Sequence, residues 1–290
     1  MKTIFALLLF PGILLAQFTK GIVKDSVTQK PIAYVNIWVE GEDISAMADS
    51  LGQYSIRTTN ADKTLVFSAA GYHPKKVKLP QTRGLTLAPI PFERQLTGAQ
   101  GTQTETLGAS FKTRHSDLTL GSRGKPWMIA RKFERLSTNP PAGEFLKELE
   151  LYTDCHNNNM KLSLRFFAIE DDGNPGRELF DSLVIFRVDR GRDITKVDLS
   201  PYVIRVPEKG LFVAVSWLII PQNVKTWYDR RPMEFKDYDP GIGAMPSVSN
   251  SSWQYLLGRW KPVEKFEANF PMRAYRGKFP ELAMRLTLSN

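Results

Sequence analysis

The residues best suited to catalysis or metal binding are few in this chain, and their spacing matches no familiar catalytic arrangement. The histidines are His73, His115 and His156, and none of them begins a His-Glu-x-x-His zinc pattern. A zinc peptidase needs two imidazoles and a carboxylate that converge on one ion. The sequence also lacks a Gly-x-Ser-x-Gly elbow and a phosphate-binding glycine loop. We therefore expect a protein that is not an enzyme and that holds no metal or cofactor.

A single cysteine, Cys155, stands next to His156, and this pair could supply a thiol and an imidazole to one site. With one cysteine there is no intramolecular disulfide framework. Side chains of adjacent residues in a strand point to opposite faces of the sheet, which argues against joint metal ligation. We expect a half-buried thiol with a packing role.

Acidic residues come together at Glu170, Asp171 and Asp172, followed by Gly173 and Asn174. Carboxylate oxygens at short spacing can hold Ca²⁺, but this spacing does not match a 12-residue calcium loop. An exposed turn capped by Asp and Asn is the other interpretation. A hydrolase with a carboxylate site that the sequence does not reveal remains an alternative, because sequence cannot place two separated acids across a cleft.

Aromatic side chains are concentrated in the C-terminal third, within segments rich in Pro, Gly, Ser and Asn. Aromatic rings on loops stack on sugars or hold peptides, since they offer a large contact area at low entropic cost. The same rings could instead close the ends of a β-sandwich. The candidate ligand-binding residues are Trp227, Tyr228, Trp253, Tyr255 and Trp260, and carbohydrate binding through them is an alternative function.

The N-terminal residues 1–16, MKTIFALLLFPGILLA, have the pattern of a cleavable signal peptide. Lys2 provides the positive charge, an apolar run follows, and Ala16 is a small residue at the cleavage edge. The run is too short to cross a bilayer as a helix, and no later apolar run is longer. The pattern predicts export to the periplasm, the cell surface or the medium.

The chain carries a formal net charge of +9. A basic balance favours acidic partners such as anionic lipid headgroups or acidic glycans. Export makes nucleic acid the least suitable partner. The basic residues form three short clusters, which are Lys75 with Lys76 and Lys78, Arg187 with Arg190 and Arg192, and Arg230 with Arg231.

Short β-prone runs alternate with turn signals after the leader. Strands are predicted at 22–23, 33–39, 53–58, 65–68 and 77–79, with turns rich in Gly, Asp, Asn and Pro between them. No amphipathic helix interrupts this series. Strands at such spacing favour an antiparallel sandwich.

This stretch also carries an ordered set of residues, which comprises Gly21, Asp25, Thr28, Pro31, Val35, Asn36, Gly41, Asp49, Gly52, Tyr54, Leu65, Phe67, Ser68, Gly71 and Tyr72. The set resembles the G-x-V-x-D, P-L-x-x-V-x-V and L-x-F-S-x-x-G-Y elements of the carboxypeptidase regulatory-like domain. Segment 41–49 departs from the usual loop of that family. The resemblance implies a seven-stranded prealbumin-like β-sandwich over residues 18–91, of a type that often precedes outer-membrane receptor barrels.

A second sandwich is predicted over residues 108–290, after a linker at 92–107 that is rich in Gly, Gln and Thr. Runs 145–152 and 161–169 are expected to pair with each other across the turn at 155–160. Run 211–220 is expected to be a central buried strand, and the alternation at 282–288 predicts a closing strand. The phrases DDGNPGRELFDS and VDLSPYVIRVPEKGLFVAVSWL are similar to jelly-roll accessory domains of exported bacterial proteins.

Together these features predict an all-β protein made of two sandwiches, the second one jelly-roll-like. The predicted function is that of a non-catalytic binding or scaffold protein of the bacterial cell envelope, for example as a soluble partner of an outer-membrane assembly. The predicted partner is an envelope protein or a glycan, with peripheral membrane association as a further expectation.

Overall fold

The computed structural model describes residues 17–58, 62–79, 85–91, 103–111, 118–135, 143–225 and 237–290. Strands make up nearly all of the regular structure in these ranges, and the helices are short 3₁₀ turns such as Ser200–Tyr202. The all-β class predicted from the sequence is confirmed. None of the helices in these ranges has the length and hydrophobicity that crossing a bilayer requires.

The first domain is built from short strands, which are β1 (Gln17–Ile22), β2 (Lys24–Asp25), β3 (Asn36–Val39), β4 (Ser45–Met47), β5 (Gln53–Thr58), β6 (Thr64–Ser68), β7 (Lys75–Lys78) and β8 (Thr86–Leu87). A four-stranded sheet has the order β4-β3-β6-β7, and β1 pairs with β5 while β2 pairs with β8. Only Val23 separates β1 from β2. Counted as one run, they give the seven strands that the family resemblance implies.

Alternation along these strands builds the core of the first domain. In β5 the pattern is strictly exposed then buried, which directs Tyr54 and Ile56 inward. The inward residues of the two layers form one apolar cluster around Val35, Ile37 and Phe67. Their burial supplies the main stabilising free energy of the domain.

A polar contact fixes one end of this sandwich. The carboxylate of Asp25 accepts hydrogen bonds from the N–H groups of Val27 and Thr28, both at 2.7 Å. The Tyr72 hydroxyl donates to the other oxygen of Asp25 at 2.8 Å. Hydrogen bonding, led by the Thr28 N–H, lowers the pKa of Asp25, whereas burial and the nearby carboxylate raise the pKa of Tyr72 to about 12. These residues of the family pattern therefore have a structural role.

The second domain contains the longer strands, which are β9 (Thr104–Leu107), β10 (Leu118–Ser122), β11 (Met128–Glu134), β12 (Phe145–Cys155), β13 (Met160–Ile169), β14 (Pro175–Glu178), β15 (Val184–Val188), β16 (Gly191–Asp198), β17 (Gly210–Trp217), β18 (Tyr238–Ser247), β19 (Ser252–Leu256), β20 (Arg259–Pro262), β21 (Phe279–Leu282) and β22 (Met284–Ser289). They form two seven-stranded antiparallel sheets. One has the order β10-β18-β12-β22-β9, with β16 and β21 also attached. The other has the order β14-β13-β17-β11-β19-β20, with β15 also attached.

The core of the second domain lies between these sheets. The predicted central strand is confirmed, because β17 lies inside its sheet and all eight of its residues are buried. The predicted closing strand is also confirmed, and its alternating residues Leu282, Met284, Leu286 and Leu288 all belong to this core. A sandwich of two antiparallel sheets agrees with the predicted jelly-roll-like class.

The predicted pairing of 145–152 with 161–169 is wrong. Strand β12 pairs with β16, β18 and β22, whereas β13 pairs with β14, β15 and β17. The turn at 156–159 therefore carries the chain from one sheet to the other. Alternation determines which face of a strand is buried, but it does not identify the neighbouring strand.

The second domain also begins earlier than predicted. Residues 92–102 of the predicted linker lie outside the described ranges. Residues 104–107, which the sequence places in that linker, form β9 and pair with β22. Leu107 is part of the core between the two sheets, so this segment belongs to the sandwich.

A buried arginine connects the two sheets of the second domain. One guanidinium nitrogen of Arg131, on β11, donates to the carbonyl oxygens of Leu282 and Met284 at 2.8 and 2.7 Å. The second terminal nitrogen, Nη2, donates to the carboxylate of Glu281 at 2.7 Å. These acceptors belong to β21 and β22 of the opposite sheet, so Arg131 bridges the interior of the sandwich.

Candidate functional site

Three of the predicted ligand-binding aromatics lie on strands, which corrects their expected place on loops. Trp253 and Tyr255 belong to β19, and Trp260 belongs to β20. Tyr255 stands directly opposite Trp260 in the antiparallel pair, so both rings and that of Trp253 share one face. The other two candidates, Trp227 and Tyr228, lie outside the described residues.

These rings pack tightly against the outward surface of their own sheet. The ring centroids of Trp253 and Phe212 are 6.0 Å apart, and those of Trp260 and Phe167 are 5.2 Å apart. The ring centroids of Tyr255 and Trp260 are 5.1 Å apart. We call this surface the aromatic face, and it consists of Met128, Ala130, Phe167, Ile169, Phe212, Ala214, Trp253, Tyr255 and Trp260.

The first domain has a matching surface. In β3 and β6 the residues that point away from their own core are Asn36 opposite Ser68 and Trp38 opposite Val66. All four are buried, although none belongs to the core of the first domain. Residues on the outer side of a two-layer sandwich are normally exposed, so a neighbouring element must cover them. We call these four residues the docking face.

The docking face and the aromatic face cover each other. Trp38 meets Tyr255 edge to face, with ring centroids 6.5 Å apart. A Cβ atom at Gly258, in the turn between β19 and β20, would lie 2.4 Å from the Trp38 ring. The Ser68 hydroxyl hydrogen-bonds to the Tyr255 side chain, and burial raises the pKa of that tyrosine. The predicted ligand-binding rings are therefore part of an interface between the two domains.

A buried ion pair lies at the edge of this interface. The guanidinium of Arg165 donates two hydrogen bonds to the carboxylate of Glu178, at 2.6 and 2.8 Å. The backbone N–H of Gly71, in the first domain, donates to the same carboxylate at 3.4 Å. Gly71 has a φ of +77°, and a Cβ there would lie 2.0 Å from the carbonyl oxygen of Asp181. Only glycine permits this close approach of the two backbones.

Further contacts extend along the interface. The backbone N–H of Ile219 donates to the sulfur of Met47 at 3.3 Å. Lys125 of the second domain forms an ion pair with Asp43 of the first. The sequence pattern alone did not indicate this interface. The signal that could have revealed it is Trp38, a large apolar side chain at the outward register of a sandwich strand.

The thiol and the imidazole that could do chemistry have different hydrogen-bond partners. Cys155 is buried in the core, where its Sγ donates to the carbonyl oxygen of Asn157 at 3.1 Å. Burial raises the pKa of this thiol to about 11, which disfavours the nucleophilic thiolate. The Nδ1 atom of His156 instead lies 3.0 Å from the buried carboxylate of Asp239.

We expect the Cys155 thiol to be unreactive in the folded protein. Its pKa of about 11 leaves almost no thiolate at neutral pH, and its surroundings exclude the reagent. Titration with Ellman's reagent should detect less than about a tenth of a thiol per chain in native buffer, and one thiol after unfolding in guanidinium. Fast reaction of the native protein would contradict the buried placement.

The carboxylates of the acidic loop bind groups of the chain itself. Asp171 pairs with Lys209. Asp172 accepts hydrogen bonds from the backbone and side chain of Asn174 at 2.9 and 2.7 Å. Across the described ranges, no group of three or more His, Cys, Asp or Glu side chains converges as a metal site would require.

Comparison with known proteins identifies the first domain. Residues 19–92 match the family model described as CarboxypepD_reg-like domain. Bacillopeptidase F of Bacillus subtilis (strain 168) is 24% identical over 286 residues, an alignment that covers 91% of this chain and 17% of that protein. The chain thus spans less than a fifth of that relative's length.

Two solved structures show weaker likeness. The cysteine protease and lectin-like domains of Cwp84, a surface layer associated protein of Clostridium difficile, align with a TM-score of 0.42 and 10% identity, over 85% of this chain and 46% of that one. A structure of infectious bursal disease virus, Gx strain, aligns with a TM-score of 0.20 and 11% identity, over 94% of this chain and 65% of that one.

The family match agrees with the ordered residues from Gly21 to Tyr72, and residues 19–92 of this chain are a carboxypeptidase regulatory-like domain.

Proposed function

We propose that this protein is a non-catalytic, exported binding or scaffold protein of the bacterial cell envelope, in which the two sandwiches act as a single unit. The observation that carries this proposal is the mutual burial of the docking face and the aromatic face. The regulatory-like domain uses its outer sheet surface to bind a neighbouring domain. An interface of this kind resists separation, because apolar burial and the edge-to-face contact of Trp38 with Tyr255 add to the close backbone approach at Gly71.

The non-catalytic part of the proposal is supported by the state of the reactive groups. Cys155 is buried and protonated, and Asp239 holds the ring of His156. The carboxylate of Glu178 forms an ion pair with Arg165 at the edge of the interface. A nucleophile or general base needs an accessible position and an unengaged partner.

Carbohydrate binding through Trp253, Tyr255 and Trp260 would require the first domain to leave this face. Trp38 lies edge to face on Tyr255 and against Gly258, where a sugar ring would have to stack. The interface contacts therefore favour a structural role for these three rings.

The proposal is tested by locating the protein in its native host. An epitope tag at the C-terminus allows fractionation, N-terminal sequencing and chemical cross-linking in intact cells. We expect a processed chain that begins at Gln17, fractionates with the envelope and cross-links to an envelope component. Full-length protein in the cytosol would contradict the proposal.

A further inference from the structure

A strongly basic surface segment lies at residues 259–278, and the basic clusters recognised in the sequence did not include it. Its two carboxylates are Glu264 and Glu267. All but one of its basic residues are exposed, the exception being half-buried Lys278. Within the described ranges none of these cations forms an ion pair. The basic residues are Arg259, Lys261, Lys265, Arg273, Arg276 and Lys278.

The segment has a fixed shape. After β20 it forms a loop closed by two backbone hydrogen bonds, from Phe266 to Lys278 at 3.0 Å and from Gly277 to Phe266 at 2.9 Å. The rings of Phe266 and Phe270 stack with centroids 4.1 Å apart. The Tyr275 hydroxyl anchors the loop to the sandwich by donating to the carbonyl of Ala244 at 2.6 Å. These contacts present the cations on an ordered scaffold.

The clusters recognised in the sequence differ in their electrostatics. Lys76 pairs with Glu40 in the first cluster. Arg187 pairs with Asp189 at 2.9 Å, and Arg192 pairs with Asp154 at 3.0 Å, in the second. Arg230 and Arg231 of the third lie outside the described residues. Intramolecular pairing reduces the field that an external anion meets, so the segment at 259–278 is the better anion-binding surface.

We propose that residues 259–278 dock the protein on an anionic lipid surface. Cations near such a surface gain free energy additively, so that six unpaired cations bind far more strongly than one. Half-buried phenylalanine rings alternate with these cations, as in the pairs Lys265–Phe266 and Lys278–Phe279, and apolar rings beside cations are typical of surfaces that bind at the boundary between headgroups and acyl chains. This interleaving favours a lipid surface over a soluble acidic polymer. The inference rests on the proposed envelope location for its biological setting.

The test is flotation of the purified mature protein with vesicles of phosphatidylcholine alone or mixed with phosphatidylglycerol. We expect binding to the mixed vesicles only, and release at about 1 M NaCl, where the screening length is about 3 Å. The triple variant Arg259→Gln/Lys261→Gln/Arg273→Gln removes three exposed cations. It should lower the partition coefficient on the order of a hundredfold, at about fivefold per cation.

The matched control is Lys75→Gln/Lys76→Gln/Lys78→Gln, which removes the same total charge from the first domain. It should retain most of the binding, and both variants should melt as the parent protein does, because the substituted side chains are exposed. Undiminished binding by the first variant would overturn the proposal, as would an equal loss in both. The proposal would also be overturned if the protein bound soluble dextran sulfate but not the mixed vesicles, or if it bound neither dextran sulfate nor the vesicles. The assay needs no export and no protein partner, so its failure is distinct from failure of the envelope proposal.

Discussion

Replacing Arg131 by methionine should lower the free energy of unfolding by about 3–5 kcal/mol. The guanidinium satisfies the carbonyls of Leu282 and Met284 and the carboxylate of Glu281 inside the sandwich. Methionine keeps much of the volume but leaves these three acceptors without their donor. The largest cost comes from the two buried carbonyls, and the partly buried carboxylate of Glu281 keeps only its hydrogen bond from Ser251. Equilibrium denaturation with urea, monitored by tryptophan fluorescence, measures the change.

The control for this prediction is Arg187→Met, which breaks an ion pair between side chains that are 63% and 50% exposed. Water screens such pairs, so the expected change is below about 1 kcal/mol. If the two variants were equally stable, Arg131 could not be the bridge between the sheets.

Replacing Gly71 by alanine should destabilise the contact between the two domains. The added Cβ would lie 2.0 Å from the carbonyl oxygen of Asp181, so that one backbone must move. The positive φ of +77° adds strain for any residue with a Cβ. We expect a total loss of about 2–5 kcal/mol. Small-angle scattering should also show a larger radius of gyration as the domains separate.

Gly41→Ala is the matched control, because Gly41 has nearly the same φ, +78°, and no atom within 4 Å of the added Cβ. It should cost only the backbone strain of about 1–2 kcal/mol and leave the radius of gyration unchanged. The difference between the two variants therefore isolates the steric conflict at Asp181. If the two variants lost the same free energy of unfolding and had the same radius of gyration, an interface at Gly71 would be contradicted.

Much of the strand content could be predicted from the sequence, because alternation reports burial directly. The alternation at 53–58 predicts this strand at its observed bounds, and the apolar run 211–220 predicts the central strand β17. Strand β18 was missed, since Pro240, Gly241, Gly243 and Pro246 are residues that normally mark turns. Its residues from Tyr238 to Ala244 are nonetheless buried inside the sheet. Tertiary burial outweighs local propensity at this strand.

The candidate site was predictable in composition but not in position. The concentration of Trp253, Tyr255 and Trp260 predicts a surface for a sugar or a peptide, and in the structure the first domain covers that surface. The Ser and Asn residues around these rings indicate loops. The segment instead forms strand β19, because aromatic residues favour strands and because β19 pairs with β11. A one-dimensional pattern does not identify what covers an outward face. That information lies in the docking face, about two hundred residues earlier in the chain.

The most direct measurement of the central claim, that the two sandwiches dock through these faces, is zero-length cross-linking of the unmodified protein. A carbodiimide joins a carboxylate to an amine only where the two are in contact. The ion pair between Lys125 and Asp43 crosses the interface, and the pair between Lys76 and Glu40 lies within the first domain. Peptide mass spectrometry should recover both cross-links from monomeric protein. Recovery of the Lys76–Glu40 link without the Lys125–Asp43 link would contradict the docked arrangement.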